Sequence, residues 1–225
     1  IPVYDLQTIA VIHRLPKDAV CIDIGVNEGQ LFNSMFKQCP EGTLYGFEPI
    51  PHLYKYLSSK YNADRVHLHQ MVLSDTEEDT SFFYFPKRTG VSGLSKRGEM
   101  FTELQSVELH YRTTPLDKVL ELSRIDLIKI DVEGAELRVL RGARENIMRC
   151  KPIIVFECGY GGIDYYKGTP EDVFEFFDGV GYGISLLKYQ LAGLPPLDRH
   201  SFIHLFKHGY EYQYIAYPAP VAEPA

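Results

Sequence analysis

Several things are scarce in this 225-residue chain, and each shortage removes a class of function. There is no surplus of positive charge: 23 Lys and Arg stand against 30 Asp and Glu, a net charge of −7. That is the wrong sign for a surface that binds nucleic acid by releasing counterions. There is no long hydrophobic run either. Stretches such as PIIVF (152–156) and DLIKI (126–130) fall far short of the roughly 20 residues that span a bilayer, so no membrane-spanning helix is expected. The four cysteines, Cys21, Cys39, Cys150 and Cys158, include no C-x-x-C pair. They give no sign of a zinc site or a dense disulfide framework and suit a reducing, cytoplasmic compartment. The opening IPVYDLQTIAVIHRLPKD has no basic stretch leading into a sustained apolar one, so no secretory leader is read there.

What remains is an ordinary globular composition, 45% hydrophobic and 24% charged, of a length that suits one enlarged domain. We expect that domain over 1–217, with an insertion at about 77–114 and a flexible tail at 218–225. β-rich apolar runs at 19–25 (AVCIDIG), 43–49 (TLYGFEP) and 66–75 (VHLHQMVLSD) alternate with helical patterns at QLFNSMFKQ and HLYKYLSSKY. This is the pattern of a parallel sheet with crossover helices. The insertion reads as two strands, SFFYF and VELHYRT, around a Gly-rich basic loop, KRTGVSGLSKRG (87–98), expected to be mobile and to close over a ligand. Alternation resumes with a short helix at PLDKVLEL, a strand at 125–131, one helix from 135 to about 148, and a strand at PIIVFE. A helix capped by Thr169 follows, then a strand near GISLL and a last strand at YQYIAY.

Three strand exits carry chemistry. The first is Asp23-Ile24-Gly25-Val26-Asn27-Glu28-Gly29. Its glycines let the backbone turn tightly and approach a ligand, and the helix that follows offers free N–H groups. An acid before a single turn glycine departs from the dinucleotide fingerprint and suits a cationic or hydroxyl-bearing ligand; a plain strand-to-helix turn is the alternative. The second is Glu48, 25 positions after Asp23, near the offset at which an acid reads ribose hydroxyls. By itself it would also suit a helix N-terminus. The third is IKIDVEGAE (128–136), which puts Asp131 and Glu133 at a strand's carboxyl end, with Glu157 ending the next strand. Ligands bind along that edge of open α/β sheets. Three converging carboxylates need a cation, a shared proton or a basic substrate. Asp131 could also cap the helix. Further on, His200, His204 and His208 would share a face if helical and could gather a metal, but SFIHLFKHGYEYQY reads as strand and turn.

The set DIGVNEG, YGFEP, LIKIDVEGAELRVLRGA and PIIVFE, in this order and spacing, resembles the FkbM-like methyltransferases, a branch of the class I S-adenosylmethionine-dependent enzymes. The resemblance covers about 20–158. It implies a Rossmann-like α/β fold of about seven strands, mostly parallel with the last antiparallel, and methyl transfer to a hydroxyl of a sugar or secondary-metabolite acceptor. The cofactor-binding set would be Asp23, Gly25 and Gly29 toward the methionine portion, with Asn27 and Glu28 also in the cofactor site, Glu48 at the ribose, and Ser74 or Asp75 near the adenine. Asp131 would be the catalytic base, with Glu133 or Glu157 orienting or replacing it. The partner expected is a small-molecule or glycan acceptor. A divalent ion such as Mg²⁺ across Asp131, Glu133 and Glu157, an amine acceptor, and a catalytically silent nucleoside-binding scaffold are the alternatives.

Overall fold

A computed structural model describes residues 3–97 and 105–219. Along the chain run α1 (Val3–Ile12), β1 (Cys21–Ile24), α2 (Gln30–Gln38), β2 (Leu44–Phe47), α3 (Pro51–Lys60) and β3 (Val66–His69). The hairpin β4 (Asp79–Tyr84) and β5 (Val107–Arg112) follows, then α4 (Leu116–Val119), β6 (Leu127–Ile130), α5 (Glu136–Gly142), α6 (Arg144–Cys150) and β7 (Ile153–Glu157). The chain ends with α7 (Pro170–Gly179), β8 (Tyr182–Leu186), α8 (Leu187–Leu191), α9 (Arg199–Lys207) and β9 (Gln213–Pro218).

Seven strands form one sheet in the order β3-β2-β1-β6-β7-β9-β8. All neighbours are parallel except β9, which runs antiparallel to β7 and β8. The expected mixed α/β sheet with an antiparallel last strand is therefore present, and β4 and β5 form a separate antiparallel pair after β3. β1 and β6 are buried along their whole length, as parallel strands covered on both faces must be. Alternate side chains feed opposite cores: Ile22, Ile128 and Ile154 on one face, Cys21, Leu127 and Val155 on the other.

Three local readings are corrected. The helix expected from 135 to about 148 breaks at Ala143 into α5 and α6. The break is stabilised from a distance, because the Asp117 carboxylate accepts from the N–H groups of Glu145 (2.8 Å) and Asn146 (2.9 Å) and so caps α6. The 200–208 stretch is helical, not strand and turn. Asp198 caps it by accepting from Ser201 N–H at 2.7 Å, and Phe202 and Phe206, one helical repeat apart, are both buried. His200, His204 and His208 thus share an exposed face of α9, His204 and His208 with ring centroids 4.1 Å apart. The expected tail is ordered at its start: Pro218 closes β9 and Ala219 N–H donates to Gly181 O at 2.9 Å. Residues 220–225 lie outside the described residues. One element was not anticipated: α1 packs against α2 and α8 with Thr8, Val11 and Ile12 buried. No helix among the described residues is long and apolar enough to cross a membrane.

Candidate active site

The carboxyl ends of β2, β1, β6 and β7 lie side by side, because Ile24 is in register with Phe47 and Ile130, and Ile130 with Phe156. The residues just beyond, Glu48, Gly25, Asp131 and Glu157, form a row along that edge. A cavity of about 410 Å³ opens over it, within the size range of small-molecule sites. Gly25, Asn27, Glu28, Gly29, Glu48, Asp131, Glu133 and Glu157 all line it; Asp23, Ser74 and Asp75 do not.

Each absence has a reason. Asp23 is 1% exposed and faces its cross-strand neighbour Lys129, whose Nζ lies 3.2 Å from Asp23 Oδ1. It sits behind the cavity wall. Burial pushes its carboxyl up to about 6, against the pull of Lys129. Ser74 hydrogen-bonds to Asp75 (3.1 Å), and its carbonyl is packed against Gly142, where an added Cβ would be 2.1 Å away. Asp75 in turn approaches Arg138 at 3.8 Å. Met71, Val72 and Leu73, just before them in the chain, line the cavity instead.

At the exit of β1 the backbone is left-handed at Gly25 (φ 83°), Asn27 (50°) and Gly29 (79°). A Cβ on Gly25 would stand 1.9 Å from the Asp131 carbonyl oxygen. This glycine is therefore demanded first by the close approach of two chain segments, and only then by any ligand. Glu48, 3% exposed, accepts Asn27 N–H on Oε2 (2.7 Å) and Ile50 N–H on Oε1 (2.8 Å). Burial still wins and raises its pKa to about 7.

Beyond β6 and β7 the three carboxylates are each compensated differently. The Lys129 ammonium lies 3.6 Å from Asp131 Oδ2 and donates to Gly25 O at 2.8 Å. Burial alone would lower its pKa, but Asp23 and Asp131 outweigh burial and hold it above the ordinary lysine value. Glu133 has a left-handed backbone (φ 61°) and forms an ion pair with Arg97. Burial raises its pKa to about 7, with Arg97 opposing. Glu157 is held well above the usual carboxylate range by burial first, then by Asp131 and Glu136. Glu136 braces the turn: its Oε1 accepts Val132 N–H and Gly134 N–H at 3.0 Å each. Asp131 does not cap α5, whose N-cap Ala135 has no side-chain bond.

The loop expected to be mobile forms part of the wall. Thr89, Gly90, Ser92 and Leu94 line the cavity, and Gly93 exchanges backbone bonds with Phe83 (2.8 and 3.1 Å). Arg97 reaches Glu133 and the Gly161 carbonyl (3.2 Å); Gly98, the loop's last residue, lies outside the described residues. Sequence reasoning missed Lys129, Arg97, Asp5 and Tyr212. Lys129 had a signal, a lone charge within a strand that is otherwise buried and apolar, which burial tolerates only with partners. Asp5, on α1, and Tyr212, before β9, line the cavity only because distant elements fold over it.

Among solved structures, an FkbM methyltransferase from Methylobacillus flagellatus shares the fold, with a TM-score of 0.53 at 16% identity over 91% of this chain and 44% of that one. Methyltransferase 1 of Beauveria bassiana is 29% identical over 56% of this chain and 59% of its own length. Methyltransferase sdnD of Sordaria araneosa is 30% identical over 60% and 64%. The chain thus spans less than two thirds of either curated relative. Residues 23–184, which run from the β1 exit through the strand-end carboxylates to β8, match the methyltransferase FkbM domain, and the chain belongs to that family.

Proposed function

We propose that this chain transfers the methyl group of S-adenosylmethionine to a hydroxyl of a sugar or secondary-metabolite acceptor. The observation that carries the reading is the row of strand ends, with a glycine turn and a buried acid at one end of the cavity and three compensated carboxylates at the other. The residues present suit this cofactor. Ile50, Met71, Val72, Leu73 and Phe82 make an apolar wall for a base. Each Glu48 oxygen takes one backbone N–H and keeps a further lone pair for a ribose hydroxyl. Asn27 Oδ1 is buried without a partner, an acceptor awaiting a donor.

When bound, the cofactor supplies a methyl group on a positively charged sulfur. The chain's own work is to align the acceptor and take its proton. Asp131, at the cavity edge with Lys129 behind it, receives that proton on its carboxylate. Glu157, whose hold on a proton is raised by burial, orients the acceptor by hydrogen bonding, and Glu133 is tied up by Arg97. Asp23 acts through Lys129 and not on the ligand. A second reading, a hard divalent cation held by Asp131, Glu133 and Glu157, draws on their ligand oxygens lying within 4.8 Å of one another. Calorimetric titration with S-adenosylhomocysteine, then label transfer from S-adenosylmethionine to a panel of hydroxylated and amine acceptors with and without chelator, tests both. No binding sinks the proposal; activity lost to chelator and restored by Mg²⁺ favours the second reading.

A further inference from the structure

Tyr212 stands at the acceptor end of the cavity, one residue before Gln213, which pairs with Glu157 between β9 and β7. Its ring is paved by glycine. A Cβ on Gly159 would lie 2.4 Å from ring atom Cδ1, and one on Gly209 would lie 3.2 Å from the hydroxyl. The backbone is fixed as well, since Tyr212 O accepts Cys158 N–H at 2.7 Å. Yet the residue is 48% exposed. A large aromatic seated against glycines and left half uncovered at a cavity mouth loses little entropy when a flat partner stacks on it.

We infer that Tyr212 is a specificity-determining residue, a platform on which a neutral, hydroxylated ring of the acceptor stacks while its hydroxyls meet the strand-end carboxyl groups. This rests on the methyl-transfer reading. An aromatic face beside carboxylates could equally hold a cation, but here two of the three carboxyl groups already face one. Lys129 lies against Asp131, and Arg97 pairs with Glu133. A further positive charge there would meet Lys129 and Arg97, whereas groups that accept and donate hydrogen bonds suit sugar hydroxyls.

Saturation-transfer NMR and titration with methyl β-glucoside, a neutral ring, and with tetramethylammonium, a cation, test this on the chain saturated with S-adenosylhomocysteine. The glucoside is expected to bind the parent and Tyr212→Phe alike. Tyr212→Ala and Gly159→Ala, which removes the seat but keeps the ring, should each bind it roughly tenfold more weakly. S-adenosylhomocysteine affinity should stay within about twofold throughout; should Tyr212→Ala lose it by unfolding, Tyr212→Leu carries the same comparison. No glucoside binding, equal binding in parent and Tyr212→Ala, or Tyr212-dependent binding of tetramethylammonium instead would each overturn the inference. A parent that binds the glucoside through Tyr212 but not S-adenosylhomocysteine would overturn the methyl-transfer reading and leave the platform standing.

Discussion

The two ends of the cavity handle buried negative charge in opposite ways. At the β1–β2 end, Glu48 is satisfied by backbone N–H groups of Asn27 and Ile50, 21 and two residues away in sequence. At the β6–β7 end, Glu133 depends on a guanidinium 36 residues away and Asp131 on Lys129 beneath it, while burial raises the pKa of Glu157. Backbone donors are fixed once the strands pair, so the first end is an inflexible receptacle. Side-chain cations and protons can be exchanged or titrated, which suits the end where the proposed methyl transfer would move a proton.

The largest effect should come from breaking the seam between the two ends. Gly25→Val would drive a branched side chain into the Asp131 carbonyl, 1.9 Å from an added Cβ, at a φ of 83° that valine strongly disfavours. The substitution should unfold the chain or lower its melting temperature by more than about 10 °C, the scale of several kcal/mol in a domain this size. A folded variant with normal stability that merely fails to bind S-adenosylhomocysteine would return Gly25 to the ligand.

Next comes the β6–β7 end. Asp131→Asn should reduce turnover by roughly two to four orders of magnitude, the range of general-base catalysis, with S-adenosylhomocysteine affinity nearly intact. Cofactor affinity falling in step with turnover would erase the division between the ends.

At the β1–β2 end, Glu48→Ala should weaken S-adenosylhomocysteine binding by about 1–3 kcal/mol, the cost of losing charge-assisted hydrogen bonds, and Glu48→Gln by less. Parent-like affinity in both variants, measured by calorimetry, would remove Glu48 from the ribose.

The smallest effect is on stability with pH. Glu48 and Glu136 are raised from an ordinary 4.5 to about 7 in the folded chain. Between about pH 4.5 and 7 the unfolded chain releases these protons while the folded chain keeps them, so stability contributed by these groups falls as pH rises through that window. The melting temperature of the ligand-free chain should drop from pH 5 to pH 7.5, with a shallower drop in Glu48→Gln. A rise over that range would show that these carboxyl groups are ionised in the folded state.

From the sequence alone came the alternation of buried strands and amphipathic helices, and with it the parallel sheet, because those periods are local consequences of which side chains must leave water. Gly25, Glu48, Asp131 and Glu157 were legible for the same reason: a residue just past a buried strand must stand at the sheet's edge, whichever neighbours that strand acquires. What each of them faces was decided only by tertiary structure. Strand register set Asp23 against Lys129 and withdrew it from the cavity. The hairpin insertion carried Arg97 to Glu133, Asp117 split one expected helix into two, and the folding of α1 and the β9 approach over the edge brought in Asp5 and Tyr212. Such contacts join positions tens to hundreds of residues apart, and no local period encodes them; they exist because burying a charge or a polar backbone group is costly until some partner, however distant in sequence, is packed against it.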